Sequence, residues 1–219
     1  MTDGTQSKCR AVCLISGSGT NLQAIIQNIN NKSLDIDLIA VISDNPMAKG
    51  IQRAEKEGID TKIIDYSTFE DRKEFDESLE IQILDLNPDL IILAGYMKIL
   101  DTNFCKIFAG KILNIHPSLL PKYKGLNTHQ KVIDNNEKYH GASVHFVVPE
   151  LDDGPVIIQY QCEVDKNDDH QSLQKKVLQG EYIIYSKALQ WFSENRLVFD
   201  SENIFLDGEA LLKPKLIRK

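Results

Sequence analysis

Residues 11 to 15 read Ala-Val-Cys-Leu-Ile, an unbroken apolar run that stops at Ser16-Gly17-Ser18-Gly19-Thr20-Asn21; beyond it Leu22, Ile25, Ile26 and Ile29 recur at helical spacing. These patterns predict a strand buried on both faces, a tight glycine turn and an amphipathic helix. The alternation repeats: a strand over 38–42, a helix over 48–57 stopped by Gly58, a short strand over 61–64, a helix over about 69–86 and a strand over 89–95. Strands without a polar face must be covered on both sides, and a strand followed by a helix returns to a parallel neighbour through a right-handed crossover.

The first hundred residues therefore read as a Rossmann-like α/β unit, a mostly parallel sheet with helices on both faces. A helix near 101–108 and a strand over 111–116 follow, then a loop punctuated by proline and glycine from Pro117 to about Thr128. Loops of that length inside a domain are usually functional or mobile. From Gly141 to Val148 the pattern alternates, with Val144, Phe146 and Val148 on one face and Ser143, His145 and Val147 on the other. Asp152-Asp153-Gly154-Pro155 turns the chain into a partner strand over 156–164, so the second half carries an antiparallel hairpin. Leu173, Val177, Gly180, Ile184, Ala188 and Trp191 step by three or four along one long C-terminal helix, with Asp168-Asp169 as its cap. No repeat or linker intervenes. The expectation is a single domain over 1–219, with halves over about 10–100 and 101–208 and a tail over 209–219; the basic stretch Lys213 to Lys219 has no readable role.

Composition narrows the function. The 25 Lys and Arg against 32 Asp and Glu give a net charge of -7, which argues against a nucleic-acid partner. No apolar run follows the first basic residues and no eighteen-residue apolar stretch occurs, so neither a signal peptide nor a membrane partner is expected. Cys9, Cys13, Cys105 and Cys162 form no C-x-x-C pair, which fits reduced thiols in a cytoplasmic protein, with Cys13 in the core. His129, His140, His145 and His170 lack metal-ligand spacing, and His140 and His145 fall on opposite strand faces, so no metal is expected.

Three patterns point to chemistry. Backbone amides at the Gly17 to Asn21 turn, at the amino end of a helix, suit a phosphate; alternatively the glycines merely permit the turn. The run lacks the third glycine of a dinucleotide fingerprint and the G-K-[ST] of a P-loop, so a monophosphate fits better than NAD or ATP. Asn114 and His116 share one strand face at a carboxyl end, where open parallel sheets bind ligands, although such residues also serve simply to satisfy loop backbone. Asp152 could hold the His116 imidazole, or belong with Glu150 and Asp153 to an acidic, solvated turn. Glu181, beside Gly180, reads as an acceptor for sugar hydroxyls or as a surface carboxylate.

These residues also carry a resemblance. Ile15 to Ala24, Leu93-Ala94-Gly95-Tyr96-Met97, Asn114 to Tyr123, His140 to Val147 and Glu150 to Val156, in collinear order, closely resemble the folate-dependent formyltransferases, and among them the phosphoribosylglycinamide formyltransferases, from residue 10 to about 208. The resemblance implies formyl transfer from 10-formyltetrahydrofolate to the amine of 5-phosphoribosylglycinamide in purine synthesis, by a cytoplasmic monomer or homodimer acting on small molecules. It makes residues 10–100 the nucleotide-binding half and 101–208 the folate-binding and catalytic half. Asn114, His116 and Asp152 match the family's catalytic trio; Gly19, Thr20, Asn21 and Glu181 match its ribonucleotide site. Arg72, Met97, Lys98, Ile99, Leu100, Asn114, Val148, Pro149, Glu150, Leu151 and Asp152 match its folate site, and Leu120-Pro121 matches a cis bond. Lys98, Leu178 and Tyr182 depart from the family pattern, where arginine, a polar residue and histidine are usual. Related readings are a formyltetrahydrofolate hydrolase, a formyltransferase acting on initiator tRNA, and, outside this chemistry, a noncatalytic nucleotide-binding module or an NAD-dependent oxidoreductase. In the implied mechanism Asn114 and a cationic His116 stabilise charge on the formyl oxygen, and Asp152 organises proton transfer in a ternary complex.

Overall fold

The computed structural model describes residues 7–200 and 203–219. Strand β1 (Cys9–Ile15) is wholly buried from Ala11 onward, and its period-two geometry divides its side chains between two cores. Ala11, Cys13 and Ile15 face one, Val12 and Leu14 the other. The chain continues through α1 (Thr20–Asn30), β2 (Ile36–Ser43), α2 (Lys49–Lys56), β3 (Thr61–Ile63), α3 (Arg72–Leu86), β4 (Leu90–Leu93), α4 (Thr102–Ile107) and β5 (Ile112–His116). Helices α1 and α2 pack on the first core, α3 and α4 on the second. All pairings from β3 through β2, β1 and β4 to β5 are parallel. The chain runs outward from β1 to β3, then returns to β4 on the far side of β1. That reversal is a topological switch point, and it opens a crevice at the carboxyl ends of β1 and β4.

The second half adds α5 (Thr128–Asp134), β6 (Tyr139–Phe146), β7 (Val156–Glu163), α6 (His170–Ser193), β8 (Leu197–Phe199), β9 (Ile204–Leu206), β10 (Glu209–Ala210) and β11 (Lys215–Arg218). β6 is antiparallel to both β5 and β7, which gives the expected hairpin. β8, β9 and β10 form a small separate antiparallel sheet that the sequence patterns do not announce. The segment read as a tail ends in β11, which pairs in parallel with β7 and becomes the edge of the eight-stranded sheet. The strand expected to run to Val148 stops at Phe146. Pro149 has no N–H for a ladder and restricts the residue before it, so the chain leaves the sheet there.

Side-chain caps set the helix starts in the second core and in α6. Asp71 accepts from the Glu74 amide, Asp101 from Phe104, and Asp169 forms a reciprocal capping box with Ser172. α6 lies close against β7 at Gly180, where a Cβ would stand 1.9 Å from Cδ1 of Tyr160. The buried hydroxyl of Tyr185, on the same helix, contacts the carbonyls of Leu93 and Leu113 at 3.0 and 2.9 Å, plugging the fork between β4 and β5. Among the described residues no helix is long and apolar enough to cross a membrane.

Candidate active site

Period two along β5 sends Asn114 and His116 to the same face, and the antiparallel register of β6 puts His145 directly opposite Asn114. Asn114 Nδ2 donates to His145 Nε2 at 3.0 Å, while His145 Nδ1 donates to the Phe146 carbonyl at 2.8 Å. A carbonyl only accepts, so Nδ1 carries the proton and Nε2 presents a lone pair to the asparagine. Burial lowers the His145 pKa, which keeps this ring neutral, as that arrangement requires. The sequence reading weighed His145 only as a metal ligand and missed this role; its signal was a polar side chain on the strand face it shares with Ser143, and both are buried.

His116 ends β5 with its ring buried. Its Nδ1 stands 3.3 Å from Asp152 Oδ2 and its Nε2 2.9 Å from the Tyr123 carbonyl. Both nitrogens face oxygen acceptors, so the ring can use two N–H donors. Asp152 reaches it from the hairpin turn with φ +49°, a left-handed conformation that aspartate tolerates better than most residues. Its Oδ2 also accepts from the Gly125 amide at 2.8 Å, and its Oδ1 lies 3.8 Å from His145 Nε2. The turn is therefore not uniformly solvated: the Asp152 side chain is 9% exposed and that of Asp153 54%.

These groups meet between two cavities. A narrow one of about 70 Å³ is walled by Leu93, Tyr96, Leu100, Val147, Val148 and Pro149 and also touched by Lys98, Ile99, Glu150 and Leu151. A wider one of about 620 Å³ extends past Met97, His116, Pro117 and Leu126 toward Lys131 and His170. Asn114 and Asp152 line both. Of the residues assigned to a folate site, Arg72 alone lines neither; its Nη2 donates to the Ile99 carbonyl at 2.6 Å and its Nε to Asp76 at 3.1 Å. It braces the 97–100 segment from behind. Lys98 places its ammonium 3.5 Å above the centre of the Tyr66 ring.

The glycine turn sits at the neighbouring carboxyl end, that of β1. Gly19 has φ +67° and a Cβ there would lie 2.6 Å from the Gly50 Cα, so the turn needs glycine both for conformation and for its approach to α2. Asn21 Nδ2 donates to Glu181 Oε2 at 2.6 Å, which brings two of the expected ribonucleotide residues together. Glu181 is buried, not a surface carboxylate; burial pushes its carboxyl up, an effect the Asn21 bond partly offsets. Asn21 Oδ1 is buried without a partner among the described residues. Ser16 ties this turn to the wider cavity: its amide donates to the Gly95 carbonyl and its hydroxyl accepts from Met97 N at 2.8 Å. Leu120-Pro121, in the loop over the site, is cis.

His129 and His140 are within 2.9 Å of each other and the His129 ring meets that of His170 edge to face. Burial is the largest cause that lowers the pKa of His129 to about 4 and of His140 to about 3. No group of three or more His, Cys, Asp or Glu side chains placed to hold a metal occurs among the described residues.

The profile of the family described as Formyl transferase matches residues 9–189. The phosphoribosylglycinamide formyltransferase of Escherichia coli (strain K12) is 42% identical over 200 residues, covering 91% of this chain and 94% of that protein. The structure of the phosphoribosylglycinamide formyltransferase of Coxiella burnetii, in complex with CHES, superposes with a TM-score of 0.92 at 42% identity, over 96% of this chain and 100% of that one. A formyltetrahydrofolate deformylase from Pseudomonas syringae pv. tomato superposes with a TM-score of 0.84 at 24% identity, over 91% of this chain and 66% of that one, a likeness of fold alone.

Proposed function

The chain belongs to the formyl transferase family, and from that premise we propose that it transfers the formyl group of 10-formyltetrahydrofolate to the amine of 5-phosphoribosylglycinamide, in purine biosynthesis. The observation that carries this reading is the convergence of Asn114, His116 and Asp152 on the boundary between a narrow cavity of mixed polar and apolar lining and a wider one. The wider cavity is lined by Gly95 and Met97, to which Ser16 ties the glycine turn, and at that turn a monophosphate matches the outward amides and the helix terminus.

A formylated folate, when bound, supplies a carbonyl carbon of amide-like reactivity. The work left to the protein is to stabilise negative charge on the formyl oxygen and to move a proton away from the attacking amine. Asn114 has one N–H engaged by His145 and a second free to point at that oxygen. His116 supplies another N–H donor once the Tyr123 carbonyl, on the 117–127 loop, gives way. Asp152, fixed by Gly125 and His116, holds a carboxylate where a water could receive the proton and return it to the departing nitrogen. No nucleophilic Ser or Cys takes part, so transfer is direct within a ternary complex.

The test is to mix the protein with the formylated folate, with and without the glycinamide ribonucleotide, and follow deformylation. Loss of the formyl group only when the ribonucleotide is present supports the transferase. Equal loss in its absence supports a hydrolase, and no loss in either mixture supports a noncatalytic nucleotide-binding module.

A further inference from the structure

Ser16 stands between β1 and the glycine turn, and the segments that leave the two neighbouring strands both hold it. Its amide donates to the Gly95 carbonyl at 3.1 Å, its carbonyl accepts from Asn45 Nδ2 at 3.1 Å, and its hydroxyl oxygen accepts from the Met97 amide at 2.8 Å. Asn45 lies just beyond β2, Gly95 and Met97 just beyond β4. Gly95 has φ +75° with nothing within 4 Å of where a Cβ would be, so glycine serves there for conformation alone: the bend aims its carbonyl and the Met97 amide at the same serine. Met97, Lys98 and Ile99 line the wider cavity, and Lys98, Ile99 and Leu100 the narrow one. Through one hydrogen bond, the Ser16 side chain therefore joins the glycine turn to a wall shared by both cavities.

We propose that Ser16 is a positioning residue that couples the two substrate sites, its hydroxyl setting the 97–100 segment against the glycine turn. The inference rests on the proposed function, with the ribonucleotide on the turn and the folate against 97–100, and adds that each substrate strengthens the binding of the other. Gly17 and Gly19 on one side and Gly95 on the other give both segments a permissive backbone, so fixing them costs conformational entropy. The first ligand to bind meets that cost, and through the Ser16 hydroxyl it orders the segment that the second ligand must use. Linkage makes the effect reciprocal: the factor by which the ribonucleotide tightens the folate equals the factor by which the folate tightens the ribonucleotide. The amide and carbonyl of Ser16 hold the turn whatever its side chain, so removing the hydroxyl tests the link to Met97 without dismantling the turn.

Calorimetric titration with 5-phosphoribosylglycinamide and with tetrahydrofolate, which carries no formyl group to transfer, tests the coupling. In the parent protein, saturating ribonucleotide is expected to lower Kd for tetrahydrofolate about tenfold, and saturating tetrahydrofolate to lower Kd for the ribonucleotide by the same factor. In Ser16→Ala each ligand alone binds within about threefold of the parent, while the coupling factor falls to about twofold or less. Hydrogen exchange gives a second readout that a merely structural serine would not move: the ribonucleotide alone slows exchange of the Met97 amide in the parent and leaves it unchanged in the variant. Both parent measurements stand whether or not the variant folds, which thermal melting checks. A parent that binds the two ligands independently overturns the inference, and so does a variant that keeps the full coupling, since the ligands then communicate by direct contact. Failure of either ligand to bind the parent overturns the proposed function instead.

Discussion

The amide of Asn114 and the Nε2 of His145 lie 3.0 Å apart on adjacent antiparallel strands, and the direction of that bond is fixed by the proton His145 gives to the Phe146 carbonyl. The amide thus arrives at the cavity already oriented, with its spare N–H directed inward. Asn114→Ala removes the donor and is expected to cost about 2.7 to 4 kcal/mol of barrier, a fall in kcat of roughly a hundredfold or more. His145→Ala leaves the donor but frees it to rotate, which is expected to lower kcat roughly tenfold at nearly constant KM. Steady-state rates on the two variants decide it; an unchanged kcat in His145→Ala would reduce that residue to packing.

His116 and Asp152 are expected to act as one unit, since each holds the other and Asp152 also pins the covering loop through Gly125. His116→Ala and Asp152→Asn should each lower kcat by roughly a hundredfold. Together they should cost little more than either alone, because the second substitution removes a partner already made useless. A double-mutant cycle in kcat/KM measures this directly. Fully additive losses would show the two groups working independently.

Acid should destabilise the fold through its buried histidines. Burial depresses the pKa of His129 to about 4 and of His140 to about 3, and lowers that of His145, against about 6.5 in an unfolded chain. Between those values the unfolded state binds protons that the folded state refuses, so stability is complete above about pH 6.5 and falls as pH drops toward 4. Each histidine adds up to about 1.4 kcal/mol per pH unit to that slope. Urea unfolding at pH 7.5 and pH 5 should show the loss, and His140→Asn should shrink it. An equal pH slope in parent and variant would contradict the assignment.

The parallel half of the fold was legible because burial on both faces leaves unbroken apolar runs, and β1 shows why: from Ala11 to Ile15 its alternate residues feed two cores, and all five are apolar. The small β8–β10 sheet was not legible, since strands of two or three residues are too short to show a period. β11 was hidden for a different reason. Lys215 and Arg218 are the charged residues of an exposed edge strand, and only pairing with β7 identifies the segment as part of the sheet. The site divides in the same way. Asn114 and His116 follow from period two within one strand. His145 depends on a register between strands, and the inward aim of Asp152 depends on a left-handed turn conformation that a run of acidic residues does not disclose.

Gly180 sets two local rules against each other. In the middle of α6 an alanine would gain about 1 kcal/mol of helix propensity over glycine. Yet its methyl group would lie 1.9 Å from Cδ1 of Tyr160 and 2.2 Å from Cγ, on a rigid and buried ring with no flexible end to swing aside. Overpacking of that kind costs about 1 to 3 kcal/mol. Steric cost therefore wins, and Gly180→Ala should melt several degrees below the parent instead of above it. Because Glu181 is the next residue and holds Asn21, the same shift of α6 should raise KM for the ribonucleotide while leaving KM for the folate unchanged. A combined thermal melt and two-substrate kinetic analysis tests both halves. A stabilised variant would mean that α6 and β7 have more room between them than Gly180 indicates.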